Sequence, residues 1–258
     1  MLIRYPGSKD KHISLLAPYL ERAAVSRKVY EPFAGTAAIT FYLLERGEVD
    51  YYHINDIDEG IAALWNQVKN NPEKLIERIK KYTPTVSDFY KFKEKLGLSE
   101  EDKGFRKLVL HQVSFSGLGA MAGGPLGGKE QQSEYTIDCR WSPDRLEKGI
   151  LKCSELLNSV EGIITSEDWE KTVDAGIENK GFIYLDPPYY VQGGGLYVNG
   201  SIDHEALAKK LRTYNDWALS YDDCAEVRML YPFASVNKLD VWSHLNKKTI
   251  ADLIITPA

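Results

Sequence analysis

Tyr30-Glu-Pro-Phe-Ala-Gly-Thr-Ala-Ala-Ile39 reads as the end of a buried strand, a tight turn and the start of a helix. The apolar run Val29 to Phe33 supplies the strand, Gly35 the turn, and the apolar spacing from Ala37 to Arg46 the helix. Such a unit exposes backbone N–H groups at the C-terminal edge of a strand, where open α/β sheets bind nucleotides and similar ligands. Ala37 stands where a dinucleotide fingerprint would have its second glycine, so the stretch also fits an ordinary strand-to-helix turn.

About 20 residues further on, His53-Ile-Asn-Asp-Ile-Asp58 ends a second apolar run, Tyr51 to Ile54. A carboxylate there is placed to accept from both ribose hydroxyls of an adenosine-containing ligand, and Asp56, with Ile57 beside it, is the candidate. Asp58 reads as the start of the following helix, where an acidic side chain meets the favourable dipole end. Further runs at Gly162 to Thr165, Gly181 to Leu185, Trp217 to Tyr221, Val227 to Tyr231 and Ala251 to Thr256 read as strands. Helical spacing appears in Ile13 to Ala24, Ile57 to Val68, Pro72 to Tyr82 and Asp203 to Arg212, and the alternation predicts an α/β fold with a largely parallel sheet.

Phe182-Ile-Tyr-Leu-Asp-Pro-Pro-Tyr189 carries the most chemistry. Four apolar residues form a buried strand, and two prolines then forbid both a ladder and an easy helix start. The rigid corner displays the Asp186 carboxylate, a backbone carbonyl at Pro187, and the Tyr189 ring behind Pro188. A plain turn needs only Asp-Pro.

Residues 69 to about 150 break the rhythm, with helices expected at 72–82, 86–96 and 100–113 and a short strand at Tyr135 to Ile137. Between them Ser116 to Gly128 holds six glycines in thirteen residues and reads as a mobile loop. The expected organisation is a catalytic domain of residues 1–68 and 151–258 with a helical insertion of residues 69–150.

The chain has 258 residues, 43% hydrophobic and 27% charged, which excludes disorder, collagen and coiled coil. Its apolar runs are far shorter than the roughly 20 residues of a membrane span, so a cytoplasmic protein is expected. Cys139, Cys153 and Cys224 fit no disulfide framework, and no His, Cys or carboxylate cluster has metal-ligand spacing. The net charge of −5 argues against general polyanion binding. Yet residues 1 to 30 carry Arg4, Lys9, Lys11, Arg22, Arg27 and Lys28 against Asp10 and Glu21, which permits a local basic face.

Taken in order, Tyr5-Pro-Gly-Ser-Lys9, the Phe33-Ala-Gly35 turn, Asp56, the helical insertion and Asp186-Pro-Pro-Tyr189 resemble the Dam-type (D12 class, group alpha) family of N6-adenine DNA methyltransferases. The resemblance spans nearly the whole chain, by motif at residues 1–60 and 160–190 and by position between them. It implies a Rossmann-like S-adenosylmethionine-dependent methyltransferase sheet with an inserted, mainly helical target-recognition domain. It implies as cofactor contacts Tyr5, Gly7 and Lys9 at the methionine end, Glu31, Phe33 and Gly35 in the turn, Asp56 and Ile57 at the ribose, and Asp168 and Trp169 at the adenine. Asp168-Trp169 also reads as a helix N-cap followed by a core tryptophan.

The implied chemistry has Asp186 and the Pro187 carbonyl accept the amine hydrogens of a flipped adenine and Tyr189 stack on the base; the glycines of Gln192 to Gly195 fit a loop that closes over the base and equally a plain flexible connection. Arg4, Lys11, Lys129 and Arg140 are the candidate DNA contacts, with Arg106, Lys107 and Arg145 nearby. The implied partner is double-stranded DNA, with no obligate protein partner and a monomer expected. Ser8 and Ala37 replace family glycines, and no arginine follows Ser116-Gly117, so GATC does not carry over as the target. Asp-Pro-Pro-Tyr also suits RNA base methylation, a cofactor- or DNA-binding relative without activity would keep the fold, and Gly35 with Asp56 alone would fit a nicotinamide enzyme.

Overall fold

The computed structural model describes residues 2–4, 7–94, 97–190, 202–243 and 248–258. The chain divides into two compact units, Lys9–Ile57 with Val160–Ala258, and Met1–Ser8 with Asp58–Ser159. The first unit begins with α1 (Ile13–Leu16), α2 (Arg22–Ser26), β1 (Lys28–Glu31), α3 (Ala38–Glu45) and β2 (Tyr51–Asn55). The second holds α4 (Glu59–Asn70), α5 (Pro72–Lys81), α6 (Val86–Glu94), α7 (Glu100–Val113) and α8 (Pro143–Asn158). The chain then returns to the first unit with β3 (Glu161–Thr165), α9 (Trp169–Glu178), β4 (Phe182–Leu185), α10 (His204–Leu211), β5 (Trp217–Asp222), α11 (Ala225–Leu230), β6 (Ala234–Ser243) and β7 (Lys248–Pro257).

The first unit is built on one seven-stranded sheet in the order β3-β2-β1-β4-β5-β7-β6. Its first five strands are parallel, and β7 and then β6 add antiparallel at one edge. Both β4 and β5 are buried along their whole length, which is why they read as unbroken apolar runs. Trp217, Leu185, Val173, Leu207 and Leu211 pack one core cluster, each large apolar side chain stabilising the fold by about 1.5–3 kcal/mol. Strand order reverses at β1, which pairs β2 on one side and β4 on the other. In open α/β sheets such a reversal places a ligand crevice beyond the C-terminal ends of the strands that flank it.

Three expectations for this unit change. Val227 to Leu230 is helical in α11 and Tyr231 is its C-cap; Val227 and Tyr231 are the buried pair, four residues apart, while Met229 between them is 72% exposed. β6 was hidden by its mixed composition, Ala-Ser-Val-Asn-Lys-Leu-Asp-Val-Trp-Ser, which suits an edge strand. Ile13 to Ala24 is broken by Pro18, which sits in a 3-10 turn over Ala17–Tyr19.

The second unit is helical. α4 buries Ile61, Leu64, Trp65 and Val68 and packs against α7 and α8. Gly104 on α7 permits that approach, since a Cβ there would lie 2.9 Å from the Leu64 backbone. α8 is the helix that sequence spacing passed over; Ser142 caps it, Pro143 begins it, and Leu146, Ile150 and Leu157 form its buried stripe. Because α4 and α8 both belong here, the unit reaches from Asp58 to Ser159, wider than residues 69–150.

Ser116 to Gly128 is a tied loop, and no strand forms at Tyr135 to Ile137. Gly119 N–H donates to Ser114 Oγ at 2.8 Å, Leu126 N–H to the Val113 carbonyl at 2.7 Å, and Phe115 N–H to the Gly124 carbonyl at 3.1 Å. Burial pulls the His111 imidazole down to about 3, so it is neutral, and Nδ1 donates to the carbonyls of Gly117 at 2.7 Å and Arg4 at 2.9 Å. Gly117 has φ +72°, and a Cβ on it would meet the Arg4 carbonyl at 2.9 Å, so glycine is required there. Among the described residues no helix is long and apolar enough to cross a membrane.

Candidate active site

The crevice beyond β4 is built from three separate parts of the chain. β4 ends at Leu185, and Pro187 and Pro188 hold the following residues out of the ladder. Lys9, from the 3-10 turn Lys9–His12, is buried and places Nζ 2.7 Å from Asp186 Oδ1 and 3.1 Å from the Tyr189 hydroxyl, to which it donates. Tyr189 donates its own proton to Asp252 Oδ2 on β7 at 2.7 Å. Its ring lies 6.2 Å from that of Tyr221.

Burial raises the Asp186 carboxyl, the nearby Lys9 ammonium opposes the shift, and Asp252 adds to it. Asp252 is raised in the same way, chiefly by burial and against Lys9. Burial and the two carboxylates hold the Tyr189 phenol well above its ordinary range, so it stays a donor. The result is a mainly buried group of two acceptors, one cation and one phenol.

On the other side of β1 the strand ends form a cradle. Gly35 has φ +48° and donates its N–H to Asp56 Oδ2 at 2.8 Å. Ala37, where a second glycine is usual, has φ +51°, a conformation that costs a non-glycine residue on the order of 1 kcal/mol. Asn55 clamps the neighbouring turns: its Nδ2 donates to the carbonyls of Pro32 and Glu167, both at 3.0 Å, while its Oδ1 accepts from Thr165 Oγ1 at 2.8 Å and Glu167 N–H at 2.9 Å. Those two turns carry Phe33 and Trp169, whose rings pair at 6.2 Å and 29°. Ile57 is 48% exposed at the end of β2.

In the helical unit, Arg4 lies beside Arg140 and Arg145, and burial and these like charges pull its guanidinium below the ordinary value. Arg145 donates to Gln112 Oε1 at 2.9 Å, and Gln112 in turn donates to the Leu2 carbonyl at 2.7 Å. Among the described residues none of these three arginines is in an ion pair. Phe115, on the tied loop, is 65% exposed.

The sequence matches the D12 class N6 adenine-specific DNA methyltransferases over residues 5–245. The chain belongs to that family. It is 25% identical over 207 residues to Type II methyltransferase M.MjaIII of Methanocaldococcus jannaschii, covering 72% of this chain and 68% of that protein. It is 28% identical over 169 residues to Type II methyltransferase M1.LlaDCHI of Lactococcus lactis subsp. cremoris, covering 62% of this chain and 56% of that protein. Family membership makes the chain an adenine-specific DNA methyltransferase.

Within this D12 methyltransferase the structure brings together Lys9, Asp186 and Tyr189, then Gly35 with Asp56, and Phe33 with Trp169. Lys9 stands on Asp186, inside the acceptor corner. Asp168 caps α9, accepting from Glu170 N–H at 2.9 Å, and Trp169 is buried in the core cluster, as the plainer reading of that pair had it. Gly7 (φ +79°), Arg4, Lys129 and Arg140 belong to the helical unit, and Lys11 is exposed on the first unit. Tyr5 and the stretch Gln192 to Gly195 lie outside the described residues. Among the described residues no group of three or more His, Cys, Asp or Glu side chains is arranged to hold a metal ion. Sequence reading missed Asn55 and Asp252; the asparagine at a strand end beside Asp56 was a usable signal, whereas nothing local marks Asp252.

Glu31 of this methyltransferase is fully buried behind the turn and accepts from Thr40 N–H at 3.1 Å and Thr40 Oγ1 at 2.5 Å. Burial pushes its carboxyl up to about 8, against the pull of the Thr40 bonds. The folded protein therefore keeps a proton that the unfolded chain has lost above about 4.5, so this contribution to stability is complete below that pH and is lost as pH rises through about 8. Glu31→Gln copies the protonated acid, and its melting temperature should match wild type near pH 5 and exceed it above about pH 8. Parallel melting curves by circular dichroism check this; equal differences at both pH values would refute it.

Proposed function

We propose that this chain transfers a methyl group from S-adenosylmethionine to the exocyclic amine of an adenine flipped out of double-stranded DNA, at a specific sequence. Asp186 carries the reading: an acceptor carboxylate at the end of a buried parallel strand, where strand order reverses, held by Lys9 and followed by two prolines. The amine of adenine is a weak nucleophile because its lone pair is delocalised into the ring. Acceptance of its two N–H hydrogens by Asp186 and the Pro187 carbonyl localises that pair, and Tyr189 offers a ring face to the base. A carboxylate has acceptor capacity beyond a single bond, so the Lys9 contact does not use up Asp186. The duplex hides this amine, so the base is flipped, which costs a few kcal/mol and is offset by stacking.

The cradle fits the adenosine of the methyl donor. Asp56 is a carboxylate for the ribose hydroxyls, Phe33 and Ile57 supply apolar surface, and Gly35 lets the backbone approach. Bound S-adenosylmethionine supplies an electrophilic methyl group on a sulfonium. Lys9 offers a cation toward its amino-acid end.

Arg4, Arg140 and Arg145, crowded and without an ion-pair partner among the described residues, suit DNA phosphates, as do Lys11 and Lys129. The reaction modifies one base at a time and needs neither a second copy nor a membrane, which suits a monomer in the cytoplasm. Phe115, exposed on a tied loop, suits stacking against bases left without a partner. Phe115→Ala should weaken duplex binding about 5- to 100-fold, the span of one lost base–aromatic stack. Fluorescence anisotropy with a labelled duplex checks it, and unchanged affinity would remove Phe115 from the interface.

The test of the whole reading is methyl transfer from tritiated S-adenosylmethionine to unmethylated duplex DNA, with N6-methyladenine quantified by mass spectrometry of the digest. N6-methyladenine in the duplex supports it. Label entering RNA and not DNA would move the assignment to RNA, and no transfer to either would overturn it.

A further inference from the structure

We propose that Asp252 is a positioning residue of the Asp186-Pro-Pro-Tyr189 corner: it accepts the hydrogen bond donated by the Tyr189 phenol, fixes the ring, and leaves Asp186 free of that proton as an acceptor. The inference rests on the reading of that corner as the adenine amine site. Its basis is directional. A carboxylate only accepts and an ammonium only donates. Tyr189 oxygen lies 2.7 Å from Asp252 Oδ2 and 3.1 Å from Lys9 Nζ, so the phenol proton points to Asp252 and the oxygen lone pair to Lys9. Lys9 in turn reaches Asp186 Oδ1 at 2.7 Å. In the order Asp252, Tyr189, Lys9, Asp186 each donor meets an acceptor, and Asp186 Oδ1 takes part as an acceptor.

The placement of Asp252 is rigid. β7 is anchored by the fully buried Leu253, Ile254 and Ile255, and Asp252 sits opposite Asp222 in the register with β5. Packing alone does not explain a carboxylate here. A mostly buried anion near a second anion is unfavourable, and an apolar side chain of similar size would fill the space at lower cost. Without Asp252 the phenol has a competing acceptor in Asp186. A phenol proton turned that way would occupy the oxygen that the adenine amine requires, and the ring would rotate with it. The residue thus acts through Tyr189 and touches neither base nor methyl donor.

The experiment is a double-mutant cycle in single-turnover methyl transfer to duplex DNA, with Asp252→Ala, Asp252→Asn, Tyr189→Phe and the Tyr189→Phe/Asp252→Ala pair. Asp252→Ala should lower the transfer rate about 10- to 100-fold, the scale expected when a reacting group is misplaced, with the duplex dissociation constant unchanged. Asp252→Asn, whose amide oxygen still accepts the phenol proton, should recover to within about threefold of wild type on the same scale. In the Tyr189→Phe background the Asp252→Ala change should cost no further rate, because there is no phenol proton left to misdirect.

A folded Asp252→Ala with wild-type rate overturns the inference. So does an Asn variant as impaired as the Ala variant, or an equal loss with and without the phenol. If Asp252→Ala does not fold, Asp252→Leu, which fills the space without an acceptor, takes its place in the same cycle with the same outcomes. Wild-type protein that methylates DNA while the Asp252 variants behave normally defeats only this inference, whereas wild-type protein that transfers no methyl to DNA defeats the underlying reading and this inference together.

Discussion

Asp186→Ala is expected to lower the rate of methyl transfer by about 10²- to 10³-fold, the loss seen when one preorganised hydrogen-bonding group is removed from a developing charge. Its affinity for S-adenosylmethionine should change little, because the groups proposed for the adenosine lie at the ends of β1, β2 and β3. The fold should tolerate the change. β4 is complete at Leu185, and the Asp186 side chain is 22% exposed, at the rim of the crevice. Asp186→Asn keeps one acceptor oxygen and should lose less than the alanine variant. Single-turnover rates with a saturating duplex, beside calorimetric titration of S-adenosylmethionine, separate the two effects. A rate within tenfold of wild type for Asp186→Ala would mean that the amine is held elsewhere.

Lys9→Met should be the most destabilising of the site substitutions. The ammonium lies 2.7 Å from Asp186 and also lowers the Asp252 carboxyl, so its removal leaves two mostly buried carboxylates facing each other. Breaking a buried pair from one side costs about 3–5 kcal/mol, and the partial exposure of Asp186 argues for the lower end. At about 3 kcal/mol the melting temperature should fall by roughly 6–12 °C.

The pH dependence has a definite sign. Both carboxyls are already raised by burial, and loss of Lys9 raises them further. As pH falls through those values the groups become neutral, the ion pair disappears from wild type as well, and the gap between the two proteins closes. Melting curves at neutral and acidic pH test this, and a gap that widened on acidification would show that Lys9 stabilises by some other means. The double variant Lys9→Met/Asp186→Asn should melt closer to wild type than Lys9→Met alone, since it carries one fewer buried charge.

The motifs legible in the sequence are those whose physics is local. Two prolines after an apolar run must end a strand, so Asp186 was found from its neighbours alone. Gly35 after a strand makes a turn whatever the rest of the chain does, and Asp56 follows at the next strand end. Val227 to Tyr231 misled because five largely apolar residues have no period, and burial at positions four apart became visible only in α11. The glycines of Ser116 to Gly128 looked mobile because the ties that hold them come from His111 and Ser114, on or just after α7. Asn55 was passed over because its bonds run to Pro32 and Glu167, in turns that precede and follow it by many residues.

The sequence by itself determined the parallel strands, the glycine turn, the acidic strand end and the proline corner, because each needs only a few consecutive side chains to define its backbone. It determined the family as well, since the order of those motifs is a linear property. The tertiary structure alone decided which groups face one another. Lys9 meets Tyr189 across 180 residues of chain, and Tyr189 meets Asp252 across 63. Those contacts follow from the strand order β1-β4-β5-β7, set by how buried faces pack against each other. An aspartate in Ile250-Ala-Asp-Leu253 has no local feature that tells it apart from any other acid in a strand, and only the sheet gives it the Tyr189 phenol as a partner.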